Sequence, residues 1–183
     1  MPALTPKPVG RHSIWIVDPS HTTVEFSIKN LFFFIVKGRV QVLEGTIVLD
    51  EDDITRSSVV ATISADSINT GVKRRDEHLR SRTFLDAGNF PHLLFQSSSV
   101  GPGSDRDMLR VKGSLTVAGK SRTVNLDVSE VDRSRSPQGE EVIYYCATTE
   151  LDRGDFGIHY GRGVIGPSLK ITINVQAQSA PLA

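Results

Sequence analysis

Cysteine is almost absent: Cys146 stands alone among 183 residues. An internal disulfide is excluded, and with it the class of small secreted domains stapled by disulfides. A Cys-rich zinc site falls with the same count, which leaves Cys146 the role of a small apolar core side chain. Excess charge is missing too. Lys plus Arg number 21, and so do Asp plus Glu; a general nucleic-acid binder carries a basic excess or stripe. No apolar run exceeds six residues, as in Leu31–Val36, whereas a membrane-spanning helix needs roughly 20. Residues 1–10 hold three prolines and no apolar stretch of secretory length, so the expected compartment is the cytoplasm. With 15 Gly and 9 Pro the chain is not of low complexity, and its length suits one domain.

Period-two alternation dominates what is present. Val24, Phe26 and Ile28 alternate with polar residues, as do Val59, Ala61, Ile63 and Ala65. Leu109, Val111, Leu115 and Val117 keep the period across Gly113. Val124, Leu126 and Val128 follow, then Leu169, Ile171, Ile173 and Val175. Such a pattern gives each strand one apolar and one wet face, as in an antiparallel sheet. Turn-forming clusters at residues 51–53, 101–105, 118–121 and 135–139 separate the runs, and no βα alternation occurs. The expectation is a sandwich or barrel, with Gly38, Gly45 and Gly113 permitting bulges or corners. Eight or so strands closed on themselves enclose just enough room for side chains or for one small ligand. Periodicity does not separate a filled barrel from a hollow one.

One segment breaks the pattern. Residues 72–87 are rich in straight-chain side chains and lack Gly and Pro, predicting a short helix over residues 73–82 between Gly71 and Gly88. Its cluster from Arg74 to Arg82 either offers guanidinium forks to an anionic head group or is a solvated face with Arg75 and Asp76 clamping the helix, and the second has the higher prior. Leu31–Val36, read as a strand, requires both of its faces to be covered: one by the barrel interior, the other by the helix, a loop, a second chain or a ligand entrance.

Signatures of catalysis are scarce. His12, His21, His78, His92 and His159 show no metal-binding spacing, so no metal is expected. No nucleophile elbow or phosphate-binding glycine loop occurs, and Asp155-Phe156-Gly157 matches the kinase triplet by chance. No catalytic residues are assigned.

The order and spacing of several motifs carry a resemblance. They are Trp15-Ile-Val-Asp18, His21, Phe26, residues 36–39, Ala65-Asp-Ser-Ile-Asn-Thr-Gly71, Arg75-Asp76, His78-Leu79, Phe84-Leu85-Asp86, Phe90-Pro91, Phe95, Ser97, residues 113–117, Gly119, residues 124–126 and Asp155-Phe156-Gly157. Together, from about Trp15 to Ala177, the chain resembles the YceI-like family of lipid-binding proteins. The resemblance implies an all-β, lipocalin-like, extended eight-stranded antiparallel barrel over residues 13–178; the ends at 1–12 and 178–183 read as flexible from the sequence itself. It also implies a non-enzymatic carrier or sequestering protein with no cofactor. The ligand would be a polyisoprenoid such as an isoprenoid quinone or prenyl diphosphate, or else a fatty-acyl lipid. A homodimer and transient contact with a membrane belong to the same expectation. Many relatives are exported; this chain looks like one without a signal.

Combining strand phase with the resemblance, the expected apolar lining is Phe26, Ile28, Val36, Ile63, Leu79, Phe84, Leu85, Phe95, Leu115 and Phe156. Arg74, Arg75 and His78 are the head-group candidates. Two departures stand out: Asn30 replaces a His found in many members, and Phe32-Phe33-Phe34 is unusually aromatic. The rival readings are an enzyme acting on a prenyl or acyl lipid, with His21, Asp76 or His78 as acid or base, and a filled-barrel stress-response or interaction module.

Overall fold

The computed structural model describes residues 11–30 and 33–181. Its strands, all antiparallel to their neighbours, are β1 (His12–Val17), β2 (Thr23–Asn30), β3 (Ile35–Asp50), β4 (Ser58–Asn69), β5 (His92–Pro102), β6 (Met108–Val117), β7 (Lys120–Arg135), β8 (Glu141–Asp152) and β9 (Ile165–Ser179). Among the described residues a single α-helix, α1 (Lys73–Arg80), lies between β4 and β5. Around the sheet the order is β3-β2-β9-β8-β7-β6-β5-β4, and β4 pairs back onto β3 to close the ring. The barrel thus has eight staves made from nine strands. β1 supplies the rest of β2's stave: it pairs with the far half of β3, His12 opposite Asp50, and with the end of β9, Val17 opposite Ala177. Between β1 and β2 the Asp18 carboxylate accepts from Ser20 N at 2.9 Å, which caps a 3-10 turn at Pro19–His21.

The alternation in the sequence fixes which side chains point inward. Inward residues of β2, β4, β6, β7 and β9 line one interior space. Phenyl rings fit this narrow interior because glycine stands opposite or beside them. Phe26 is the cross-strand partner of Gly38, and a Cβ on Gly113 would lie 2.6 Å from the Phe95 ring. Bulges therefore do not fall on these glycines but beside them, between Arg39 and Gln41 and between Ser97 and Ser99.

One end of the barrel is filled. Trp15, Ile143 and Ala177 point inward there and are almost wholly buried. Trp15 Nε1 donates to Ser13 Oγ at 2.8 Å, and the Arg133 guanidinium lies 5.8 Å from the Trp15 ring centroid. Ion pairs from Arg133 to Glu130 (2.6 Å) and Glu51 (2.7 Å) hold it in place and raise its pKa, the Glu130 hydrogen bond most. Beside this plug the Asp50 carboxylate is fully buried 2.9 Å from Arg56 Nε, and its Oδ1 accepts from the backbone of Asp52 and Asp53. At the opposite end lie α1 and the connections from β2 to β3 and from β8 to β9.

Four expectations change. The helix ends at Arg80, because Ser81 is extended and its hydroxyl donates to His78 O at 2.6 Å; Arg82 lies beyond it. Strand pairing begins at His12 and runs to Ser179, and Ala180 N donates to Ile14 O at 2.7 Å, so residues 12 and 178–180 belong to the barrel. Residues 1–10 and 182–183 lie outside the described residues. Cys146 is only half-buried; Tyr145 and Ala147 on either side face the interior, so it takes the outer face. The run Leu31–Val36 is no continuous strand either. Leu31 and Phe32 fall outside the described residues, Phe33 has φ 63°, and β3 starts only at Ile35.

Candidate functional site

A cavity of about 640 Å³ occupies the barrel between the Trp15 plug and α1. The ten expected residues, Phe26, Ile28, Val36, Ile63, Leu79, Phe84, Leu85, Phe95, Leu115 and Phe156, all line it. Helical spacing explains the contribution of α1. Arg75, His78 and Leu79 stand at i, i+3 and i+4, share one face and all reach the cavity. Arg74 sits outside that face, is exposed and, unlike the other two head-group candidates, does not line the cavity.

Side chains stitch α1 to the end of β4. Buried Asp76 accepts from Thr70 N at 2.9 Å and from Thr70 Oγ1 at 2.6 Å. Arg75 donates from Nε to Thr70 Oγ1 at 2.7 Å and from Nη2 to Thr70 O at 3.0 Å. Arg80 donates to Asp66 O at 2.7 Å and Ile68 O at 3.0 Å. The expected Arg75–Asp76 clamp is thus indirect: both hold Thr70, and Arg75 pairs with no carboxylate among the described residues. After α1 the chain turns inward at Phe84. His78, Phe84 and Tyr160 form an edge-to-face trio with centroids 4.8–5.3 Å apart, and His78 and Tyr160 are both exposed and cavity-lining. They form part of the mouth.

One charged side chain at this end escaped the sequence reading. Arg153, 7% exposed, lines the cavity. It donates to the carbonyls of Gly166 (3.0 Å), Ile158 (3.3 Å), Tyr160 (2.6 Å) and Ile165 (3.0 Å). These four bonds fold the β8–β9 connection over the barrel end. No described carboxylate forms an ion pair with it, and burial lowers its pKa. Its signal was its place two residues before Asp155-Phe156-Gly157, a triplet that in this fold carries Phe156 into the cavity.

The lining is therefore apolar with a basic end. It includes Arg75, His78 and Arg153 and neither Asp nor Glu. Deep in the barrel Tyr145 also faces the cavity, and burial pushes its phenol up to about 12. The three suggested acid–base groups do not converge. His21 pairs with Asp18 at 2.7 Å, Asp76 is engaged with Thr70, and of the three only His78 lines the cavity. Among the described residues no group of three His, Cys, Asp or Glu is placed to hold a metal.

This geometry agrees with what the chain is similar to. The YceI-like domain matches residues 15–177, and the protein belongs to that family. A UPF0312 protein of Vibrio cholerae is 28% identical over 166 residues, covering 90% of this chain and 85% of that one. Burkholderia cenocepacia BcnA has the same fold, with a TM-score of 0.75, 19% identity and coverage of 87% of this chain and 98% of its own. A polyisoprenoid binding domain from Saccharophagus degradans, implicated in plant cell wall breakdown, superposes with a TM-score of 0.64 at 11% identity. That match covers 94% of this chain and all of the other (100%).

Proposed function

We propose that the protein binds a long-chain lipid inside the barrel and carries or sequesters it without chemical change. The observation that carries this reading is the cavity itself: about 640 Å³, within the roughly 300–1,000 Å³ typical of small-ligand sites, and almost entirely hydrocarbon-lined. Each methylene moved from water into such a lining contributes about 0.8 kcal/mol before ordering costs. A flexible polyisoprenoid or acyl tail thereby binds tightly with few polar contacts. The polyisoprenoid binding of the Saccharophagus domain on the same fold supports this class of ligand.

The head group lies at the mouth among Arg75, His78 and Arg153. Two basic side chains without a facing carboxylate favour hydrogen-bond acceptors and anions there, such as a quinone carbonyl, a carboxylate or a diphosphate. The family resemblance is to binding proteins rather than enzymes, and the separation of His21 and Asp76 from the cavity supports a role without turnover. Action on the cytoplasmic side and a homodimeric state, the latter implied by the family resemblance, are parts of the proposal; cell fractionation and light scattering test them.

The direct test is native mass spectrometry with isoprenoid quinone, prenyl diphosphate and fatty acid, each delivered on cyclodextrin. One lipid per chain is expected. Absence of all three complexes at micromolar concentrations contradicts the proposal.

A further inference from the structure

We propose that Phe33 and Phe34, just before β3, form a membrane-docking element that inserts into the interface of an anionic bilayer beside the cavity mouth. For its purpose this rests on the lipid-carriage reading; its physical argument stands apart from it.

Two large aromatic side chains are held in water with nothing described covering them. Phe33 is 94% exposed and Phe34 70%. Ile35, which follows at the start of β3, is exposed as well. Contiguous apolar groups of this size on a protein surface mark a binding surface more often than chance exposure. Phe33 and Phe34 are also held in place. Asn30 holds them with three bonds: its carbonyl accepts from Phe33 N at 3.1 Å, its Oδ1 accepts from Phe34 N at 3.0 Å, and its N–H donates to Phe34 O at 3.0 Å. Phe33 is thereby kept in the left-handed region, φ 63°, which disfavours a bulky residue.

Charge identifies the partner. From Phe26 to Gly38 the sequence contains Lys29 and Lys37 and no Asp or Glu, although the whole chain is neutral. Both side chains are exposed, and neither forms an ion pair with a described residue. Strand pairing sets them behind the rings, with Lys29 opposite Ile35 and Lys37 opposite Ser27; Arg39 lies farther back, opposite Glu25. Apolar rings in front of unpaired cations match a bilayer with anionic head groups, where the rings enter the acyl boundary and the cations remain among the phosphates.

Position ties the two rings to the mouth. Asn30 and Val36, at the two ends of the connection, both line the cavity. Ile165, the partner of Asn30 across the sheet, lines it too, and Val164 beside it is half-exposed. A bilayer that receives Phe33 and Phe34 therefore faces the end of the barrel through which a lipid tail enters.

The test uses the full chain with vesicles of phosphatidylcholine alone or mixed with phosphatidylglycerol. Sedimentation should carry the protein down with the anionic vesicles only. The double variant Phe33→Ser/Phe34→Ser should weaken binding at least tenfold, since burying each ring is worth more than the ~1.4 kcal/mol that equals one decade. Lys29→Glu/Lys37→Glu should weaken it further than neutralisation, which costs about fivefold per charge. A Phe34→Trp variant supplies a position-specific readout, because Trp15, the only tryptophan of the chain, is 2% exposed. The emission of the introduced indole should shift to the blue with anionic vesicles and be quenched by brominated acyl chains.

Equal sedimentation of wild type and both double variants overturns the proposal. So does emission from the Phe34→Trp variant that stays red, or concentration-dependent self-association lost in the Phe33→Ser/Phe34→Ser variant without vesicle binding, which assigns the two rings to a second copy. Uptake of quinone from cyclodextrin is measured in parallel. Wild type that docks on vesicles but takes up no lipid overturns the carriage reading and leaves docking standing; uptake without docking does the reverse.

Discussion

Single side chains set both the dimensions of the cavity and its polarity. Phe95 is buried against Gly113, and on the outer face Lys170 stands opposite Glu150. Phe95→Asp should therefore reduce lipid affinity by several kcal/mol, about the cost of an unpaired charge in a desolvated site, while Lys170→Asp leaves affinity near wild type. Circular dichroism of both variants establishes that they fold, and titration with an isoprenoid quinone compares them. Gly113→Val places new atoms against the Phe95 ring and the Gln96 carbonyl, and overpacking of this kind destabilises by about 1–3 kcal/mol; a denaturant melt measures it. Arg75 faces the cavity and Arg74 does not. Arg75→Ala should thus weaken prenyl diphosphate about ten- to a hundredfold more than a neutral quinone, the worth of a charge-assisted hydrogen bond, and Arg74→Ala should change neither. Tyr145, raised to about 12 by burial, titrates above the ordinary phenol value of 10.0. The unfolded chain releases that proton first, so Tyr145 stabilises the fold fully below pH 10 and its contribution is lost as pH rises toward 12. Absorbance of phenolate against pH should show a late component that is lost in Tyr145→Phe.

At the scale of elements, the turn between β1 and β2 and the β8–β9 connection depend on single charged groups. The Asp18 carboxylate is lowered below its ordinary 3.8 by the Ser20 hydroxyl first and His21 next. A lowered carboxylate stabilises the fold above the unfolded value and ceases to do so as pH falls through the folded one. Asp18→Asn should flatten the acid limb of the thermal melting profile below pH 3.8, where wild type loses that contribution. The strands were legible because their period-two residues meet a one-sided interior: the apolar sets in β2, β4, β6, β7 and β9 point where the alternation directs them. The residues just before β3 were not. An apolar run reads as strand when both faces are assumed to be covered, yet Phe33 adopts a left-handed conformation and stands in solvent. Arg74 was misplaced because a cluster of adjacent arginines carries no phase; the i, i+3, i+4 relation of Arg75, His78 and Leu79 supplies it. Arg153 stayed hidden because its four acceptors are backbone carbonyls, which no side-chain pattern reveals.

For the whole molecule, the central point is that eight staves close around a cavity whose walls are hydrocarbon and whose mouth is basic. The pairing of β4 onto β3 closes the ring of described strands, which leaves no open edge of the kind that templates aggregation. The plug at Trp15 makes the two ends unequal, so the proposed lipid would lie with its tail toward Trp15 and its head toward Arg75 and Arg153. A filled barrel and a carrier differ in one observable, the lipid that the protein holds. Native mass spectrometry of the purified protein, followed by organic extraction and identification of the released molecule, measures it directly. One long-chain lipid per barrel, displaced by added quinone or prenyl diphosphate and diminished in Phe95→Asp, is the predicted result; protein that remains at its bare mass after isolation from several hosts and after incubation with each lipid class would contradict the account.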